Sequence, residues 1–233
     1  MRIFNSIISA FFPNTCIACG EIIDDGESLC DYCYEMLDKV DFTKTCKRCG
    51  LTIKNCECKY RVFYFSGVAA PFYNSASAKE IMYKFKFSKA TKNAEFISQQ
   101  MLLAIEMVYN DINFDAVTFV PLTFKRFLNR GFNQSKILAE KISEKLNLTV
   151  LDILYRNKSK TDQHDIKNPK ERFKNVEGLY GAKGKVNGKN ILLVDDIKTT
   201  GATLNECAKQ LILSGADNVY CVTGLISDRR KEK

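Results

Sequence analysis

Asp195 and Asp196 follow four apolar residues, Ile191-Leu-Leu-Val, and precede Ile197-Lys-Thr-Thr-Gly-Ala-Thr203. Carboxylates accept hydrogen bonds from sugar hydroxyls. Thr199, Thr200 and Thr203 offer hydroxyl donors, and Gly201 lets the backbone come close to an anion. The run through Ala202 and Thr203 reads as a tight loop feeding a helix, whose first N–H groups lack intrahelical partners and suit a phosphate. Acceptors for sugar hydroxyls beside a phosphate cradle describe a site for ribose 5-phosphate.

A second set of residues is cationic. Pro121-Leu-Thr-Phe-Lys-Arg-Phe-Leu-Asn-Arg-Gly-Phe-Asn-Gln134 brings Lys125, Arg126 and Arg130 to the end of an expected strand. Arginine suits bidentate phosphate contact, although the segment also reads as a solvated basic loop.

A third set is metal-ligating. Eight of the ten cysteines form four close pairs: Cys16 and Cys19, Cys30 and Cys33, Cys46 and Cys49, Cys56 and Cys58. Two thiolates two residues apart grip one metal from a single turn, and two such knuckles complete a tetrahedral site. Eight ligands make two structural Zn²⁺ sites, each contributing on the order of 10 kcal/mol to folding. Sequential sharing closes the shorter loops, with Cys16, Cys19, Cys30 and Cys33 on one metal and Cys46, Cys49, Cys56 and Cys58 on the other. A crossed arrangement stays open. A disulfide framework is disfavoured because no signal sequence precedes the cysteines, and the expected location is cytoplasmic. Cys207 and Cys221 are expected to be buried and inert.

Charge divides along the chain. Residues 1–60 carry seven Lys+Arg against nine Asp+Glu, while the whole chain is +8. Eight thiolates and two Zn²⁺ would bring the metal-loaded total to about +4. An acidic amino-terminal module would then be joined to a basic body suited to an anionic ligand. No segment approaches the roughly 20 apolar residues that span a bilayer, so no membrane span is expected. Residues 3–12 read as a short helix packing on the cysteine-rich module.

The elements that must position these groups alternate beyond residue 60. A hairpin is expected from 62–65 and 68–73 around Gly67, then helices over 76–87 and 92–109. A strand follows over 115–120, a helix over 134–146, a strand at 191–194, a helix from about 200 to 214 and a last strand near 219–225. Strands alternating with helices imply an α/β fold with a mostly parallel sheet flanked by helices. The expected division is 1–60 for the zinc module and 61–233 for the α/β domain.

The Asp195–Thr203 string resembles the signature of the type I phosphoribosyltransferases, which bind phosphoribosyl pyrophosphate (PRPP). With the cysteine pairs in front, the chain resembles the ComF family, a double zinc ribbon joined to a phosphoribosyltransferase-like domain. Matching residues include Phe12-Pro13 before Cys16, Lys86-Phe87 after a helix, Pro121 and Arg130-Gly-Phe-Asn-Gln134. Thr161-x-Gln163, Glu171-Arg172-x-x-Asn175-Val176 and Asp195–Thr203 complete the set.

The resemblance assigns the ribose 2′- and 3′-hydroxyls to Asp195 and Asp196, and the 5′-phosphate to Thr199, Thr200, Gly201, Ala202 and Thr203. It places a pyrophosphate-binding loop, with Arg126 and Arg130 assisting, after the strand at 115–120. Mg²⁺ would accompany PRPP. The basic stretch 156–189, ten Lys+Arg against four Asp+Glu, reads either as a closing loop with Gln163 and Arg172 over PRPP or as a solvated connection. His164 is expected on the surface.

The implied function is transfer of ribose 5-phosphate from PRPP to an unknown acceptor, linked to natural competence and DNA uptake. The alternative is a non-catalytic factor that binds single-stranded DNA or senses PRPP, with a competence-machinery protein as a further partner. Tyr83-Lys-Phe-Lys-Phe87 alternates aromatics with cations as single-strand binders do. It also reads as the end of an amphipathic helix burying its aromatics.

Overall fold

The computed structural model describes residues 13–88, 91–157 and 176–228. The expectations for residues 3–12 and for Thr161, Gln163, His164, Glu171 and Arg172 lie outside these residues. No described helix is long and apolar enough to cross a membrane.

The body is a parallel sheet flanked by helices, as the α/β alternation implies, preceded by a cysteine-rich segment. That segment contains the short helix α1 (Asp31–Glu35). The body then runs β1 (Gly67–Ala69), β2 (Phe72–Tyr73), α2 (Ala76–Ser88), α3 (Thr91–Tyr109), β3 (Ala116–Phe119), α4 (Phe124–Arg130), α5 (Gln134–Leu146) and β4 (Thr149–Val150). After β5 (Leu154–Arg156) and β6 (Tyr180–Ala182) come β7 (Asn190–Lys198), α6 (Ala202–Leu213) and β8 (Asn218–Ile226).

The sheet order is β1-β8-β7-β3-β4, and every pairing in it is parallel. Ile191, Leu192, Leu193 and Val194 are each 0% exposed, as a central strand covered on both faces requires. Leu192 and Val194 face a core with α2, α3 and α5, whereas Ile191 and Leu193 face one with α6 and Tyr180. Cys207 and Cys221 are buried in this second core, as expected.

The expected hairpin at 62–73 does not form. Gly67 pairs with Tyr220 and Phe72 with Leu225, both parallel to β8 and with the same register offset, so β1 and β2 are two pieces of one edge strand. They are interrupted at Ala70-Pro71, where the proline has no N–H to donate. Phe63 and Phe65 are buried instead as a stacked pair, ring centroids 4.7 Å apart. The alternation that suggests a strand there is a local packing pattern with no partner strand.

The cysteine-rich segment covers this edge. Val40 N donates to Pro71 O at 2.9 Å, Tyr73 N to Asp38 O at 2.8 Å and Val68 N to Lys47 O at 3.0 Å. Its first half packs Cys16 and Leu29 into one core, and its second half packs Cys49 and Leu51 into the other. It therefore straddles the sheet edge, and satisfying the edge amides this way blocks strand addition.

Candidate functional site

Two cysteine quartets stand in the amino-terminal segment. The Sγ atoms of Cys16, Cys19, Cys30 and Cys33 lie within 4.8 Å of one another, as do those of Cys46, Cys49, Cys56 and Cys58. Four thiols at this spacing fit tetrahedral Zn²⁺, with no position left open for chemistry. The sharing is sequential, as the shorter loops favour.

The second site lies at the carboxyl end of the sheet. Asp195 and Asp196 fall inside β7, which continues to Lys198, rather than between strand and loop. The pairing of Ile197 and Lys198 with Leu225 and Ile226 of β8 carries the strand past the carboxylates. Thr199, Thr200 and Gly201 then form the turn into α6. Gly201 is its N-cap at φ +79°, a left-handed conformation that disfavours any residue with a Cβ. Thr200 Oγ1 accepts from Ala202 N at 3.3 Å.

The two carboxylates are held differently. Asp195 Oδ1 accepts from Ser135 Oγ at 2.9 Å and from Asp196 N at 2.9 Å. Burial, reinforced by the neighbouring Asp196 charge, pushes the Asp195 carboxyl up to about 7. Asp196 faces a cation: its Oδ2 lies 2.6 Å from Lys86 Nζ. Lys86 comes from inside α2 rather than after it, since that helix continues to Ser88.

The segment expected as a basic loop holds a helix, α4, capped by Thr123 Oγ1 accepting from Arg126 N at 3.1 Å. Its geometry explains Arg130-Gly-Phe-Asn-Gln134 residue by residue. Gly131 ends α4 in the left-handed conformation, Phe132 packs near Phe85, and Asn133 Oδ1 caps α5 through Ser135 N and Lys136 N. Gln134 is buried. It accepts from Arg130 Nη1 at 3.1 Å and donates to Lys86 O at 3.4 Å, which ties two cationic residues together. Burial holds the Arg130 guanidinium below its ordinary value.

These groups surround one cavity of about 420 Å³. Asp195, Asp196, Thr199, Thr200, Ala202 and Thr203 line it, and Lys86, Arg126, Arg130 and Arg156 supply the cations at its wall. Arg156 Nη1 donates to Tyr180 Oη at 2.8 Å, an arrangement delivered by the β5–β6 pair. Sequence reasoning omits Ser135 and Arg156 from the site and quotes Lys86 and Gln134 only as part of the resemblance. Their approach depends on how α2, α5 and β5 end around β7, which no local spacing encodes.

Comparison with known proteins agrees with both halves of the chain. The double zinc ribbon domain matches residues 7–61, and the phosphoribosyl transferase domain matches residues 99–233. Competence protein ComFC of Streptococcus pneumoniae is 27% identical over 225 residues, covering 88% of this chain and 96% of that protein. The chain belongs to the ComF family. Competence protein F of Haemophilus influenzae is 33% identical over 108 residues, covering 45% of this chain and 47% of that protein. DNA utilization protein YhgH of Escherichia coli (strain K12) is 28% identical over 148 residues, or 61% of this chain. The match spans 65% of YhgH, slightly under two thirds of its length. This ComF-family chain thus joins a zinc-ribbon segment to a phosphoribosyltransferase domain.

Proposed function

We propose that the chain binds Mg²⁺-PRPP in the 420 Å³ cavity and transfers its ribose 5-phosphate to an acceptor, as a cytoplasmic protein in the handling of incoming DNA. The observation that carries this reading is the convergence of paired carboxylates, a helix-opening phosphate cradle and several cations on one cavity. The zinc ribbon, residues 1–60, forms a module beside the catalytic domain, residues 61–233.

Asp195 and Asp196 accept the ribose 2′- and 3′-hydroxyls. The turn from Thr199 through Thr203 holds the 5′-phosphate with backbone N–H groups and threonine hydroxyls. Lys86, Arg126 and Arg130 face the diphosphate. In the reaction the bond from the anomeric carbon to the diphosphate oxygen breaks and its electron pair leaves with diphosphate. The acceptor's lone pair forms the new bond, and the acceptor's proton passes to solvent. Asp195 and Asp196 are the carboxylates that would meet Mg²⁺ arriving with PRPP, and the ion would offset charge on the leaving group. The cations add preorganised stabilisation to the same charge. The site fixes the sugar, so positioning supplies much of the acceleration.

Calorimetric titration of Mg²⁺-PRPP into zinc-loaded protein tests the reading, beside an Asp195→Asn/Asp196→Asn control. Micromolar binding lost in the control supports it. No binding by folded wild-type protein overturns it.

One observation favours a second reading, in which the protein binds single-stranded DNA or senses PRPP without transfer. Tyr83 and Phe87 are both exposed, with ring centroids 4.5 Å apart, and Arg130 lies over Phe87 at 5.7 Å. Only Phe85 of this run is buried, so the helix end does not bury its aromatics. Stacking faces beside cations suit a single strand. Salt-dependent DNA binding weakened by Phe87→Ala would support this reading. A competence-machinery protein is the remaining candidate partner, contacted through the acidic ribbon.

A further inference from the structure

Lys198, the last residue of β7, stands between the phosphate turn and the second cysteine quartet. It directly precedes Thr199, and a Cβ placed on Gly201 would lie 3.1 Å from its Cε. A cleft of about 500 Å³ is lined by Lys198, Thr199 and Thr200 from the sheet end and by Cys56 and Glu57 from the ribbon. We propose that Lys198 is a positioning residue that couples the second zinc quartet to the phosphate turn. A phosphate bound at the turn then changes the metal centre, and the metal centre sets affinity at the turn. This inference rests on the PRPP reading above.

Packing makes the connection stiff. Cys49 and Ile226 are each 0% exposed and share one core. A Cβ on Gly50 would come 2.7 Å from Ile226 Cδ1, so the knuckle after Cys49 lies directly on the end of β8. Ile226 is in turn the register partner of Lys198, and Ser227 N donates to Lys198 O at 2.8 Å. Quartet, knuckle, β8 end and Lys198 form one contiguous packed path that ends at the phosphate turn.

Charge gives the path its chemistry. Lys198 is 3% exposed, and an ammonium so buried needs counter-charge. Cys49 and Glu57 face it from the ribbon and Cys221 from β8, while Arg61 is the facing cation. Glu57 is already engaged by Arg61, whose Nε lies 3.2 Å from Oε2. Burial pushes the Cys221 thiol well above its ordinary value, which keeps it neutral. Four thiolates on one Zn²⁺ carry a net charge of about −2, so the loaded quartet is the main anion left to Lys198. A phosphate on the turn is a second one. Drawn toward it, the ammonium leaves the thiolates, and their donation to the metal changes.

The test uses the full chain with cadmium-113 in place of zinc, so that each quartet gives one magnetic resonance signal. Cys19→Ser alters only the first-quartet signal and thereby assigns both. Saturating ribose 5-phosphate should shift the second-quartet signal and leave the first in place. In Lys198→Met, similar in length and uncharged, that shift should vanish. Calorimetry should show ribose 5-phosphate binding about fivefold more weakly there, the lower end of coupling between linked sites. Lys198→Arg keeps the charge and should restore most of both effects. Two cadmium signals in each Lys198 variant show that the metal sites are intact.

Ribose 5-phosphate that binds wild type without moving the second-quartet signal would overturn the coupling while leaving the PRPP reading intact. A shift that survives in Lys198→Met would overturn the role of Lys198. If neither ribose 5-phosphate nor Mg²⁺-PRPP binds, the PRPP reading fails and the coupling falls with it.

Discussion

Lys86 Nζ stands 2.6 Å from Asp196 Oδ2, with the two side chains 17% and 18% exposed. A cation from a helix on one face of the sheet thus meets the second of two adjacent carboxylates in its central strand. The half-buried setting makes this contact stronger than a surface pair, and Gln134 holds the Lys86 carbonyl from behind.

Lys86→Met should therefore weaken Mg²⁺-PRPP binding by about tenfold or more, the scale of one lost charged hydrogen bond. Lys86→Arg should recover part of it. Calorimetry decides the matter, and an unchanged affinity in the methionine variant would remove Lys86 from the site.

Asp195 gives a pH signature with a definite sign. Its carboxyl is pushed up to about 7, first by burial and then by the Asp196 charge. In the unfolded chain it titrates near 4, so between about pH 4 and 7 the folded state holds the proton that the unfolded state has released. Stability from this group is present at low pH and is lost as pH rises through 7. Asp195→Asn removes that loss. Its melting temperature relative to wild type should be higher at pH 8 than at pH 5, and a difference that is flat or reversed with pH would contradict the assignment.

The legible parts of the fold were those with a local cause. α5 matches the apolar spacing over 134–146 at both ends, and β7 was visible because four consecutive apolar residues need cover on both faces. The four cysteine pairs followed from spacing, whereas their grouping into two quartets is visible only in the folded chain. The hairpin expectation failed because 62–65 alternates for packing while 67–73 pairs with β8, a partner about 150 residues later in the chain. α4 was hidden because its apolar residues Phe124, Phe127 and Leu128 are exposed, giving no buried face to read. Lys86 reaches Asp196 across 110 residues of sequence, a relationship that tertiary structure alone creates.

Asp228 is the latch between ribbon and sheet. Its carboxylate is 2% exposed and accepts from Thr52 N at 3.0 Å, from Thr52 Oγ1 at 2.8 Å and from Asn55 Nδ2. Asp228→Ala should destabilise the protein by about 2–3 kcal/mol, because buried donors lose a charged acceptor. Asp228→Asn, which keeps one acceptor oxygen, should cost less. Denaturant midpoints measure both, and an Asp228→Ala variant as stable as wild type would show that these hydrogen bonds do not hold the ribbon to the sheet.

The two zinc quartets should differ in what their loss exposes. Cys49 is fully buried against the second core, and its neighbour Lys47 accepts from Val68 N on the edge strand. Cys19 is exposed, and the first quartet attaches through contacts such as Lys84 Nζ donating to Ala18 O. Breaking the second site with Cys49→Ser should uncover the β1 edge, whereas Cys19→Ser should loosen the first half and leave that edge paired. Hydrogen exchange at the Val68 amide reads this directly: faster in Cys49→Ser, near wild type in Cys19→Ser. The uncovered edge should also promote association, since unpaired strand amides template further pairing. Equal protection in both variants would mean that the sheet edge holds its cover without the second metal.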